Sequence, residues 1–86
     1  MFAEVYTKPS CSYCVQAKAL LEKRGVPYNE ISAVDQRETL IERVLAETGN
    51  TPKSVPQIFI DGVCVGGYTD LVIFFDRKDA EVQEGE

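Results

Sequence analysis

The chain has 86 residues, 44% of them apolar, and a formal net charge of −5 with no histidine. Its length bounds it to a single domain, residues 1–86, with one modest core. The acidic balance argues against nucleic-acid binding, which needs Lys and Arg to neutralise phosphates, and the longest apolar run, Leu71 to Phe75, is far too short to span a membrane.

Residues 2–7, FAEVYT, alternate in direction: Phe2, Glu4 and Tyr6 face one way, Ala3, Val5 and Thr7 the other. This predicts a short strand, which Pro9 ends. From Cys11 to Arg24 the period turns helical, with Cys14, Ala17, Leu20 and Leu21 on one face and Val15 and Ala19 beside it. Gly25 is a helix stop, with Pro27 just beyond. Val26 to Ile31 reads as a second strand. A second helix is expected from about Gln36 to Thr48, with Asp35 as N-cap and Glu38 at capping-box spacing. Its apolar stripe is Leu40, Ile41, Val44 and Leu45.

Ile58-Phe59-Ile60 and Val63-Cys64-Val65 flank Asp61-Gly62, a strong hairpin signal. Gly66-Gly67 breaks the second of these strands. Thr69 or Asp70 is expected to cap a last helix running to about Asp79. Leu71, Phe74 and Phe75 have helical spacing, although the run from Leu71 to Phe75 has strand-like propensity. Residues 79–86 carry four acids and no base, and are expected to form a frayed, solvated tail. The order β-α-β-α-β-β-α predicts an α/β fold with a four-stranded mixed sheet flanked by helices. Strands joined through a helix should be parallel, and the hairpin antiparallel.

The opening Met1-Phe2-Ala3-Glu4 lacks a basic stretch followed by an apolar one. No secretory leader is expected, and the setting is expected to be cytoplasmic and reducing. With histidine absent, chemistry must come from thiols, carboxylates, Lys, Tyr or the backbone.

The stretch KPSCSYC, residues 8–14, holds the chemistry. A zinc site wants four ligands, and the chain has three cysteines. A structural disulfide across so short a loop constrains the unfolded chain weakly, and a reducing compartment would not keep it closed. A redox pair has a positive case. Cysteines three apart at the first turn of a helix lie within disulfide reach. Cys11 would sit near the free N–H groups and positive end of the helix, which favour a thiolate, with Lys8 adding charge. Cys14 would point back into the helix and be more buried. Cys11 attacks and Cys14 resolves. Cys64, in the last strand, reads as a free cysteine packing like a small hydrophobe, with a regulatory thiol as the alternative.

Three segments in order, YTKPSCSYC, SVPQIFIDG and GGYTDL, resemble the active-site loop, the Thr-Val-Pro segment and the Gly-Gly-x-x-Asp turn of glutaredoxins. The resemblance covers nearly the whole chain. It implies the thioredoxin fold and a glutathione-dependent thiol–disulfide oxidoreductase acting on protein–glutathione mixed disulfides and protein disulfides. Cys11 and Cys14 would be the redox-active disulfide. Glutathione would be the co-substrate, and ribonucleotide reductase is one protein substrate the family suggests. The resemblance implies that Lys8 pairs with the glycine carboxylate of glutathione and that Val55 exchanges backbone hydrogen bonds with its cysteine. Thr69 and Asp70 would hold the γ-glutamyl end beside Gly67. Tyr13 would flank the sulfur, and Pro56 would follow a cis peptide bond. Gln36 and Arg37 both remain candidates for the glycine carboxylate.

Two positions depart from the family pattern. Ser54 replaces the usual threonine. Ser12 stands where dithiol members most often have proline. Some members with serine there hold a [2Fe–2S] cluster between two protomers through the first active-site cysteine, here Cys11, and glutathione, so a cluster-binding module is the alternative function. Otherwise a monomer is expected. A thioredoxin-like protein reduced by a flavoenzyme is a third reading, against which Lys8 and Thr69-Asp70 argue.

Overall fold

In the first strand, β1 (Ala3–Thr7), every residue except Glu4 is buried, because both of its faces are covered. The computed structural model describes residues 1–84, with side chains described to residue 80. After β1 come α1 (Ser12–Lys23), β2 (Tyr28–Ser32), α2 (Arg37–Thr48), β3 (Gln57–Ile60), β4 (Val63–Gly66) and α3 (Tyr68–Glu84). The sheet order is β2-β1-β3-β4. β1 pairs parallel with β2 from Ala3↔Tyr28 to Thr7↔Ser32. It pairs antiparallel with β3, and β3 pairs antiparallel with β4. The expected element order and mixed sheet are therefore present.

Alternation along the central strands sorts the core into two layers. Ala3, Val5, Ile58 and Ile60 face Ala17 and Leu21 of α1 and Leu71 and Phe75 of α3. Tyr6 and Phe59 face the opposite way, against Leu40 and Val44 of α2. Two helices thus cover one face and one helix the other. Leu71 and Phe75 are buried four residues apart, which seats α3 despite its strand-like local sequence. Burying each such side chain is worth about 1.5–3 kcal/mol.

Arg43 ties α2 to the sheet. Its guanidinium donates to both carboxylate oxygens of Glu4, at 2.9 and 3.0 Å, and to the Tyr6 hydroxyl at 3.0 Å. It also lies 3.9 Å from the centroid of the Phe59 ring.

The local end signals act largely as expected. Gly25, at φ 70°, closes α1, with its N–H donating to Glu22 O and that of Val26 to Leu21 O. Asp61 and Gly62 both take positive φ, 50° and 83°, as a tight two-residue hairpin requires. The Val55–Pro56 bond is cis.

Several expectations are corrected. Val26 is used by the end of α1, so β2 begins two residues later, at Tyr28. Val15 and Ala19 are exposed, and so is Leu45, because each helix buries only a narrow stripe against a flat sheet. Asp35 does not cap α2: Gln36 holds that position without a side-chain hydrogen bond, and the Asp35 N–H turns back to Ser32 Oγ at 3.1 Å. α3 starts at Tyr68, ahead of both expected caps. It also runs on through Glu84, past the expected end at Asp79. Arg24 holds this extension, donating to Asp79 Oδ2 at 3.0 Å and lying 4.7 Å from the Phe75 ring centroid. Residues 85 and 86 lie outside the described residues. Among the described residues, no helix is long and apolar enough to cross a membrane.

Candidate active site

β1 ends at Thr7, and Lys8-Pro9-Ser10 turns the chain into α1. Ser10 takes φ 60°, a left-handed conformation that a non-glycine residue enters at a cost of about 1–2 kcal/mol. The turn delivers Cys11 as the N-cap of α1. Its sulfur accepts the Cys14 backbone N–H at 3.2 Å. Cysteine thus takes the place that serine or aspartate usually holds at a helix start. The N–H and the helix end both favour negative charge on this sulfur once it is reduced.

Cys11 and Cys14 are joined in a disulfide, with Cα atoms 5.2 Å apart. Cys11 is half-buried, whereas Cys14 is only 2% exposed. Of the two, Cys11 is the more accessible to solvent. The Cys11 sulfur lies 3.7 Å from the Val55 carbonyl oxygen, across the chain from the active-site loop.

Cys11 lines one groove, and Val55, whose carbonyl it faces, lines two more. The first, on the α1 and β2 side, is lined by Cys11, Cys14, Lys8, Lys18 and Glu30. There Glu30 Oε2 accepts from Thr7 Oγ1 at 2.8 Å and from Lys18 Nζ at 3.1 Å, and both bonds hold the Glu30 carboxyl below its usual range. The second is lined by Tyr13, Val55, Pro56, Gly67, Thr69 and Asp70, among others. The third is lined by Lys8, Arg37 and Val55 together with the segment 51–54. Val55 lines both the second and the third groove.

The residues singled out in the sequence therefore gather from four separate segments. Lys8 and Arg37 share one groove with Val55, and Gln36 does not line it. Tyr13, Thr69 and Asp70 share the other. Asp70 Oδ2 accepts the Gly67 N–H at 3.0 Å, so its carboxylate is drawn back over the start of α3. A Cβ on Gly66 would stand 2.5 Å from that oxygen, and Gly66 has φ 115°. Glycine is required there on both counts.

Tyr68 was not picked out from the sequence. Its ring stacks on Tyr13 with centroids 5.9 Å apart, joining the active-site loop to α3. Only its place beside Gly66-Gly67 marked it. Cys64 borders the second groove. Burial and the neighbouring Glu47 carboxylate push its thiol up, and its N–H donates to Glu47 Oε2 at 2.8 Å. As expected of a small hydrophobe, it packs against the layer of Tyr6, Leu40, Val44 and Phe59, half-buried on the edge strand.

The glutaredoxin family model matches residues 3–65, from the first strand through the Cys11–Cys14 pair to the hairpin. The chain belongs to the glutaredoxin family. It is 45% identical over 67 residues to glutaredoxin 1 of Rickettsia prowazekii, covering 78% of this chain and 70% of that one. Its fold is similar to that of glutaredoxin 1 from Francisella tularensis complexed with cacodylate, at a TM-score of 0.68 and 30% identity, covering 88% of this chain and 93% of that one. A buckwheat glutaredoxin–glutathione complex matches at a TM-score of 0.65 and 27% identity, covering 95% of this chain and 73% of that one. As a glutaredoxin-family thiol–disulfide oxidoreductase with the thioredoxin fold, the chain carries its redox pair at Cys11 and Cys14.

Proposed function

We propose that this glutaredoxin uses glutathione as its co-substrate and reduces protein–glutathione mixed disulfides and protein disulfides. The observation that carries the reading is the charge arrangement about Val55. One adjoining groove is lined by Asp70 and the other by Lys8 and Arg37, with Lys53 lining both. Glutathione has the matching polarity, with an ammonium at its γ-glutamyl end and a carboxylate on its glycine. Its cysteine would lie along Val55 as an added strand, with its sulfur against Cys11. Free N–H groups at the start of α3, about Thr69, would take the γ-glutamyl carboxylate, with Gly67 and Pro56 as the backbone wall. The buckwheat relative solved with glutathione supports the same reading.

The chemistry proceeds by thiol–disulfide exchange. The Cys11 thiolate attacks the glutathione sulfur of a mixed disulfide, the protein thiolate leaves, and a Cys11–glutathione bond forms. The thiolate of a second glutathione attacks that bond, releasing Cys11 and glutathione disulfide. For a protein disulfide, Cys11 forms the mixed disulfide, and Cys14 attacks Cys11 to expel the reduced protein. Two glutathiones then restore the dithiol.

The test is turnover of a glutathionylated protein with glutathione as the sole reductant, followed through NADPH and glutathione reductase. Turnover is expected. Reduction of the Cys11–Cys14 bond by dithiothreitol but not by glutathione would overturn the reading.

The cluster-binding alternative draws on Ser12. Among the described residues, no group of three or more Cys, Asp or Glu side chains stands together, so donors beyond Cys11 would have to come from glutathione and a second copy. Visible absorption after anaerobic incubation with iron, sulfide and glutathione separates the two readings. A colourless monomer counts against the cluster.

A further inference from the structure

The groove between α2 and the segment 51–55 carries a third cation, Lys53, besides the Lys8 and Arg37 assigned above to glutathione. Lys8, Arg37 and Lys53 all line it, no acidic residue does, and its walls include Leu40, Ile41 and Pro52. The chain as a whole is acidic, at −5. Among the described residues, none of these three side chains has a hydrogen-bond or ion-pair partner in the fold, whereas Lys18, Arg24 and Arg43 are all paired with carboxylates. Three unpaired cations on a partly apolar trough, in a chain rich in acids, form a concentrated field beside the reactive sulfur.

We propose that this groove binds an acidic segment of the protein substrate, on the C-terminal side of its reactive cysteine. The direction rests on the glutathione reading above. A tripeptide along Val55 sends its chain toward Asp70 before the cysteine and toward Lys8 after it. A protein segment that takes the same place as an added strand follows the same course. Glutamates or aspartates one to three residues after the cysteine then meet Lys8, Arg37 and Lys53. The same residues before the cysteine approach Asp70 and are repelled. Lys53 is the cation that the glutathione reading above leaves unassigned, and it lines both grooves.

The test uses the full chain carrying Cys14→Ser and three short peptides, Cys-Glu-Glu, Cys-Gln-Gln and Glu-Glu-Cys, each a mixed disulfide with thionitrobenzoate. The Cys11 thiolate attacks the peptide sulfur. The Cys11–peptide S–S bond forms, the peptide–thionitrobenzoate bond breaks, and thionitrobenzoate leaves as a coloured thiolate. At about 20 mM salt, Cys-Glu-Glu is expected to react about three- to tenfold faster than Cys-Gln-Gln, and Glu-Glu-Cys no faster than Cys-Gln-Gln. The preference should shrink several-fold at about 0.3 M salt. Lys53→Gln should cut it by about half or more, and Lys53→Glu should abolish it. Equal rates for the three peptides, or a preference untouched by Lys53→Glu, would overturn the proposal. The mixed disulfide of glutathione with thionitrobenzoate serves as the control, and Lys53→Gln should leave its rate unchanged. No free glutathione enters the peptide assay, so its failure is distinct from failure of glutathione-driven turnover.

Discussion

The backbone N–H of Cys14 donates to the sulfur of Cys11 at 3.2 Å, so the first cysteine caps the helix that buries the second. One local geometry sets apart an accessible, charge-stabilised thiol and a sheltered one. Cys11→Ser is expected to abolish turnover of glutathionylated protein. Cys14→Ser should keep it and lose reduction of protein disulfides. The coupled glutathione assay on both substrates checks this, and full activity in Cys11→Ser would reverse the roles.

Asp70→Asn is expected to raise KM for the glutathionylated substrate about tenfold, with kcat nearly unchanged. Asparagine can still accept the Gly67 N–H, so α3 should start normally. What is lost is the charge facing an ammonium, and charge-assisted hydrogen bonds are worth about 1.5–3 kcal/mol. Lys8→Gln should act in the same direction at the other end of the peptide. Steady-state kinetics over a range of substrate tells the outcome, and a pure kcat loss would contradict it.

Gly66→Ala and Gly67→Ala should differ sharply. At Gly66 a new Cβ meets Asp70 Oδ2 at 2.5 Å on a backbone of φ 115°. A loss of about 2–3 kcal/mol is expected, along with weaker glutathione binding, because the Asp70 side chain must move. At Gly67 the nearest atom is Pro56 O at 3.6 Å, an ordinary contact. A loss under about 1 kcal/mol is expected there. Urea unfolding of both variants distinguishes them.

The ion pair of Glu4 and Arg43 makes stability depend on acid. Hydrogen bonds from Arg43, reinforced by its charge, hold the Glu4 carboxyl below its ordinary value of 4.5. A depressed folded value means that the contribution is complete above that ordinary value and fades as pH falls through the folded one. Unfolding at pH 7 and at about pH 3 should show wild type losing about 1 kcal/mol more than Glu4→Gln over that interval. Equal losses would show that the pair contributes nothing measurable. Arg43→Ala should cost about 2–3 kcal/mol at neutral pH, since it also uncovers Phe59 and strands Glu4.

Cys64 should be a slow nucleophile. Burial and Glu47 push its thiol above the ordinary value, so at pH 7.5 little of it is thiolate. Iodoacetamide on the reduced protein should label Cys11 first and Cys64 much later, as read by mass spectrometry. Cys64→Ser should leave turnover within about twofold. Labelling of Cys64 as fast as Cys11 would refute this.

Periodicity and turn chemistry act over a few residues, and they are legible in the chain itself. The alternation of FAEVYT, the Asp61-Gly62 turn and the Gly25 stop all do in the fold what their local sterics require. So does the spacing of Cys11 and Cys14. Expectations fail where a neighbour outvotes a local preference. Asp35 has good capping chemistry, but the turn after β2 draws its N–H to Ser32. Leu45 fits the helical stripe, yet the sheet reaches only as far as Leu40 and Val44. Asp79 sits in an acidic run, and Arg24 from another helix holds it in α3.

By itself, the sequence determined the order of elements, the redox pair and the likeness to glutaredoxins, because each rests on contacts between near neighbours in the chain. The tertiary structure alone decided which charges face one another. Lys8, Arg37 and Lys53 come from three distant segments and meet in one groove. Tyr13 finds Tyr68 only because α1 and α3 lie on the same side of the sheet. Such meetings depend on strand order and helix placement, which cooperative burial of the whole core sets and no short stretch encodes.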